Sequence, residues 1–157
     1  MKHKYLYQAI GFGWLAGMRS VSALAISTNL ASHAGLFKPK TPLIRFLKKP
    51  ALQISSYILA AGEMVADKLP GTTDRINPVP LTGRALMGAL SGAVIYTLAR
   101  RNPFTGALIA GAAAVASTYT MYYLRKEIKA TTNAPDLVLG LAEDAIVISQ
   151  VIRTKKG

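Results

Sequence analysis

Four of the seven acidic residues lie inside long apolar runs: Glu63 and Asp67 in ALQISSYILAAGEMVADKL, and Glu143 and Asp144 in DLVLGLAEDAIVISQVI. Two arginines are set in the same way, Arg19 in the first apolar run and Arg84 at the mouth of the third. A carboxylate among Leu, Ile and Ala costs several kcal/mol unless it is paired, protonated or hydrated. At membrane depth such residues face a bundle interior or a water-filled path, and they mark function.

Two chemistries suit this set. Glu63 and Asp67 stand one helical turn apart, so they cannot both ionise cheaply; one takes up a proton or the two share a cation. With Glu143 they would offer oxygens of the kind hard cations prefer, which makes Glu63, Asp67 and Glu143 the candidate cation site. Arg19 and Arg84 can neutralise the acids or hold an anionic substrate, because a planar guanidinium grips two oxygens at once. The plain alternative is a structural ion-pair network joining Arg19 and Arg84 to Glu63, Asp67, Glu143 and Asp144. Asp74, Arg75 and Glu127 read as solvated loop charges.

Positioning these groups calls for helices. About twenty apolar residues span a bilayer, and the chain has five such segments, near residues 5–30, 51–69, 82–98, 104–124 and 136–152. Between the first two, GLFKPKTPLIRFLKKP (35–50) alternates apolar and basic residues after Pro39 and Pro42, as a short amphipathic surface helix would. In the second segment Gln53, Ser56, Ala60, Glu63 and Asp67 recur at helical spacing and form a polar stripe. The stretch from Pro70 to Pro80 is expected to be irregular. Arg84, Gly88 and Gly92 share a face that permits close approach, and Gly106, Ala110 and Ala114 predict a packed fourth helix. Thr132 or Asn133 caps the fifth, with Pro135 in its first turn. There Asp136, Gly140, Glu143 and Gln150 line one face, while Asp144 lies about a hundred degrees away.

The chain reads as one membrane domain, residues 1–157. Its halves (1–70 and 80–157) echo each other, with Gly17-Met18-Arg19 against Gly83-Arg84 and Ala61-Gly62-Glu63 against Leu141-Ala142-Glu143. A degenerate two-fold repeat is one explanation, and chance likeness among small apolar residues is the other. Repeats that place a site near the midplane are a transporter habit.

Composition narrows the class. Net charge is +12, with Lys and Arg clustered between the apolar runs, where each would gain about 1 kcal/mol near anionic lipid. No separate basic domain exists, so nucleic acid is not an expected partner. Cysteine is absent, which excludes disulfides, thiolate metal sites and thiol catalysis. His3 and His33 are far apart, leaving little material for a zinc site or a serine triad. The apolar N-terminus is read as a retained helix rather than a signal peptide, since Arg19 interrupts it. Counted over five alternating spans, the basic residues divide almost evenly between the two sides, and the positive-inside rule does not choose an orientation.

The strings GMRS (17–20), GEMVADKLP (62–70), GRALMGALSG (83–92) and LAEDA (141–145), in this order and spacing, resemble the bacterial membrane family known as domain of unknown function 4126. The resemblance covers nearly the whole chain and implies a multi-helix inner-membrane protein; it brings no activity and no residue roles. The expectation is an all-α polytopic bundle of about five spans plus one amphipathic helix, in a bacterial inner membrane, forming a homo-oligomer. Its expected function is passage of a small ion or polar solute, with Glu63, Asp67, Glu143 and Asp144 carrying charge and Arg19 and Arg84 as counter-charges. No cofactor is expected, and the partners are membrane lipid and the solute. Lipid handling by a head-group enzyme or a flippase is the rival, although neither a phosphate-cradling glycine loop nor a spaced Asp series is present. A purely structural membrane protein is the third reading.

Overall fold

A computed structural model describes residues 2–33, 41–66, 76–132 and 145. Among these the fold is entirely helical, with six helices: α1 (Lys2–Met18), α2 (Ser20–His33), α3 (Pro42–Leu47), α4 (Pro50–Ala66), α5 (Pro78–Leu98) and α6 (Pro103–Thr132). The segment expected as a fifth span, 136–152, lies outside the described residues except for Ala145, as do residues 35–40 ahead of the amphipathic helix.

The first apolar run differs from the single helix expected of it. It is two helices that meet at Arg19, and the chain reverses there. Leu15 and Ile26 share one apolar cluster, although eleven residues of straight helix would hold them about 16 Å apart. Ala16 and Ala23 likewise meet around Ala114. The Arg19 amide still donates to the Leu15 carbonyl at 2.8 Å, but the bond one turn on, Ala23 amide to Arg19 carbonyl, stretches to 3.4 Å. Gly17, Ser20 and Ser22 crowd the corner, and Gly/Ser pairs and inserted hydroxyls are the usual causes of sharp helix bends. Thr118 Oγ1 donates to the Gly17 carbonyl at 3.2 Å, and Ser117 Oγ to the Trp14 carbonyl at 2.8 Å.

Two other boundaries move. Pro78 and Pro80 belong to the first turn of α5 rather than to an irregular connector. Their missing amides fall where a helix has no acceptor for them, so proline costs nothing there. The sixth helix runs past Arg125-Lys126 to Thr132, because Arg and Lys are good helix formers and no proline or glycine intervenes.

Close packing of α1, α5 and α6 forms the centre, and glycines allow it. A Cβ built on Gly13 or Gly17 would strike the carbonyl oxygen of Ala110 or Ala114, and one on Gly92 the carbonyl oxygen of Gly106. A Cβ on Gly88 would come 2.7 Å from the Ala114 Cβ. One rail on α6, Gly106-Ala110-Ala114, is thus gripped from both sides by glycines four residues apart, 13 and 17 on α1, 88 and 92 on α5. This rail and its continuation at Ser117 and Thr118 are buried, whereas Phe104 and Leu108 on the other side of α6 are exposed.

These contacts fix directions. Gly13 faces Ala110 and Gly17 faces Ala114, so α1 runs parallel to α6. Because Gly92 faces Gly106 and Gly88 faces Ala114, α5 runs antiparallel to both. Helix α2 then climbs back along α5: Ser27 Oγ donates to Ser91 Oγ at 2.8 Å, and Ala31 packs with Val94, Ile44 and Leu47. Helix α4 lies outside α2 and runs against it. Leu52 sits on that last cluster, while Ser56 Oγ meets Thr28 Oγ1 at 3.3 Å and Tyr57 accepts from Asn29 at 2.8 Å.

The α5–α6 turn is tight. The Arg101 amide donates to the Tyr96 carbonyl (2.8 Å) and the Arg100 amide to the Thr97 carbonyl (3.0 Å), the paired bonds of a Schellman motif. Arg100 holds the left-handed conformation, φ 55, where glycine is the usual residue. Asn102 Oδ1 then caps α6 by accepting from the Phe104 amide at 2.9 Å, with Pro103 as the first helical residue.

Candidate functional site

Alongside the apolar clusters around Leu15, Ile26, Leu47 and Val94, the bundle interior holds hydroxylated and charged side chains. Arg19, Ser22, Ser27, Thr28, Ser56, Arg84, Ser91, Ser117 and Thr118 are buried, with Arg19 1% exposed and Arg84 6%. Many large apolar side chains also lie outside: Ile58 is 65% exposed, Leu86 61% and Leu108 59%. Two buried guanidinium groups are the unusual feature, since Arg is almost never fully buried unless paired. On α4 the polar stripe expected through Gln53 and Ser56 does turn inward, with Ser56 fully buried and Ile54, Ile58 and Leu59 exposed.

Arg19 and Arg84 are brought to one level. Gly17 and Gly88 both abut Ala114 of α6. Arg19 lies two residues beyond Gly17 along α1, and Arg84 one turn before Gly88 along the antiparallel α5. Both steps lead the same way, towards Ser117 and Thr118. The backbones of both buried arginines, the Ser117 and Thr118 hydroxyls and the beginning of α2 therefore fall at one level of the bundle. The N-terminal end of α2 adds its own partial positive charge to that layer.

Of the expected acidic partners, Asp67, Glu143 and Asp144 lie outside the described residues, and only the backbone of Glu63 is described, within α4. Counted on from the Thr28–Ser56 pair, the antiparallel register sets the Glu63 backbone abreast of the beginning of α2, close in sequence to Arg19. Among the described residues no group of His, Cys, Asp and Glu could hold a metal ion.

Sequence reasoning did not find the hydroxyl residues of this layer. Ser117 and Thr118 follow the small-residue rail at helical spacing (110, 114, 117, 118), and that continuation was the available signal. For the reversal at Arg19 the local signal was Gly17 with Ser20 and Ser22, which the apolar reading of the run passed over.

Glycine-mediated packing, an apolar exterior and a charged interior layer define the class: an all-helical bundle in which two helices, Pro78–Leu98 and Pro103–Ile128, are long and apolar enough to cross a membrane. The chain belongs to the family described as Domain of unknown function (DUF4126), whose profile matches residues 6–154. No curated protein and no solved structure matches the chain.

Proposed function

We propose that the protein is a multi-pass inner-membrane bundle that passes a small ion or polar solute through the layer containing Arg19 and Arg84. The single observation behind this reading is the burial of both arginines at one level of a bundle whose exterior is apolar. Cations there call for anions, supplied either by Glu63, Asp67, Glu143 and Asp144 or by the solute itself.

Aromatic side chains support the membrane part of the reading. Phe104 (67% exposed) and Tyr123 (57% exposed) mark two bands on the outside of α6. They stand nineteen residues apart, about 28 Å of helix, which matches a hydrocarbon core of about 30 Å flanked by interfacial aromatics. The arginine layer falls between the bands, nearer to Tyr123.

In the proposed mechanism Glu63, Asp67 and Glu143 carry the coupling charge, and Arg19 and Arg84 hold that charge in place until a proton or cation replaces them. Assembly as a homo-oligomer completes the proposal. The test is ion flux in proteoliposomes, with Na⁺, K⁺, H⁺ and phosphate gradients applied in turn. One of these gradients drives flux through the native protein, and Glu63→Gln abolishes that flux while the variant stays folded. Unchanged flux in Glu63→Gln would remove the assigned role.

The rival, lipid handling, draws on the same two guanidinium groups, which suit a phosphate. A phospholipid co-purifying with the native protein and lost from Arg84→Gln would favour it over ion passage.

A further inference from the structure

The basic side chains outside the interior gather at one end of the bundle. Arg101 stacks over the Tyr5 ring at 5.6 Å, which joins the beginning of α1 to the α5–α6 turn. Helix α3 meets the same region, since Ile44 and Leu47 pack on Val94 near the end of α5, and Lys49 lies 5.7 Å over the Phe46 ring. Lys4, Arg45, Lys49, Arg100 and Arg101 are exposed there and Lys48 half-exposed, and no Asp or Glu among the described residues accompanies them. The other end, by contrast, mixes Arg125 and Lys126 with Glu127.

The reversal at Arg19 produces this asymmetry. A single span over residues 5–30 would set Lys4 and Arg45 on opposite sides. With α1 descending along α5 and α2 returning, both reach the same end, and the near-even balance of basic residues disappears among the described ones. Arg100 adds to the pattern, for a cation occupies a left-handed position where glycine would be less strained.

We propose that Lys4, Arg45, Lys48, Lys49, Arg100 and Arg101 form one surface for the anionic phospholipid head groups of the cytoplasmic leaflet, and that α1 and α2 enter and leave the membrane on that side. This rests on the membrane reading above. The chemistry is that of juxtamembrane basic clusters, which anionic lipid attracts and the positive-inside rule retains in the cytoplasm. Tyr5 and Phe46 beneath the cations supply the amphipathic rings found at head-group level. The pair then forms a re-entrant corner with Arg19 at its tip. Such a break in a helix at membrane depth is tolerated where protein buries it or water reaches it.

Because the chain has no cysteine, single cysteines report sidedness directly. His3→Cys, Thr41→Cys and Thr105→Cys probe the basic end, and Asn77→Cys and Thr131→Cys the other; all five positions are exposed. With a membrane-impermeant maleimide on intact spheroplasts, the last two label and the first three do not, and inverted vesicles reverse the pattern. Labelling of His3→Cys and Thr41→Cys from opposite sides overturns the re-entrant pair, and labelling of all three from outside overturns the orientation. Recovery in the soluble fraction overturns the membrane reading itself and this proposal with it. For the lipid, phosphatidylglycerol raises the melting temperature of the detergent-solubilised protein above that in phosphatidylcholine. Combined Arg45→Gln, Lys48→Gln and Lys49→Gln substitution reduces that difference; equal melting temperatures in the two lipids overturn the head-group surface.

Discussion

Arg19 and Arg84 reach the same interior layer by opposite means. Arg19 stands at a chain reversal, two residues after a glycine pressed against the α6 backbone. Arg84 stands within an unbroken helix, directly after a glycine with open space on its side-chain face: a Cβ on Gly83 would meet no atom within 4 Å, whereas one on Gly17 would strike Ala114 and Ser117. The difference teaches that a glycine beside a buried charge is not one structural device. At Gly17 the missing side chain lets two backbones approach and frees a carbonyl for Thr118. At Gly83 it does neither, and the close approach of α5 to α6 is made one and two turns later, at Gly88 and Gly92.

The largest expected effect breaks this contrast at its tight end. Gly17→Ala places a methyl group against the Ala114 carbonyl and the Ser117 side chain, and both sit on a helix held from its other side by α5. Overpacking of this kind costs about 2–3 kcal/mol. Thermal unfolding in detergent should show a clear fall in melting temperature. An unchanged value would mean that α1 and α6 do not pack through this glycine. The substitution is also expected to disturb the Arg19 corner, since the Gly17 carbonyl would shift away from Thr118.

How much of this contrast could be read beforehand depends on the range of the causes. Helix α5 was legible from 82 to its end at Leu98, because Arg84, Gly88 and Gly92 repeat at helical spacing and their face is the one buried. The small-residue rail on α6 and the inward polar stripe on α4 were legible for the same reason. Residues 5–30 were not, since apolar continuity looks the same whether a helix goes straight or doubles back. What turns it is tertiary: hydroxyls from α6, about a hundred residues later, and the pairing of Leu15 with Ile26. The prolines at 78 and 80 misled in the opposite way, as breakers in general that are acceptable in a first turn. Arg19 and Arg84 were recognised as buried from their apolar surroundings; their shared level needed the register of three helices.

A smaller effect sharpens the contrast at the reversal. Thr118→Val keeps the shape of the side chain and removes the hydroxyl that serves the Gly17 carbonyl at 3.2 Å and the Ala114 carbonyl at 2.9 Å. Hydrogen bonds between membrane helices are worth about 0.6 kcal/mol on average and up to about 1.7, so a loss of about 1 kcal/mol is expected. The same loss should not follow Thr120→Val. That hydroxyl is exposed and bonds only within its own helix, to the Ala116 carbonyl. Equal losses from the two variants would show that the corner at Arg19 is held by apolar packing around Leu15 and Ile26 rather than by the α6 hydroxyls.

The smallest effect has the opposite sign and tests the loose end. Gly83→Ala adds a methyl group where nothing lies within 4 Å, in a helix that continues through the position without a break. Alanine loses less backbone freedom than glycine on entering a helix, by about 0.5–1 kcal/mol, and the melting temperature should rise slightly. If Gly83 instead resembled Gly17 in purpose, the same substitution would destabilise the protein and alter flux through the arginine layer. A small gain in stability with the proposed flux unchanged is the expected result, because a methyl group at Gly83 meets no neighbour and Arg84 keeps its place one turn from Gly88.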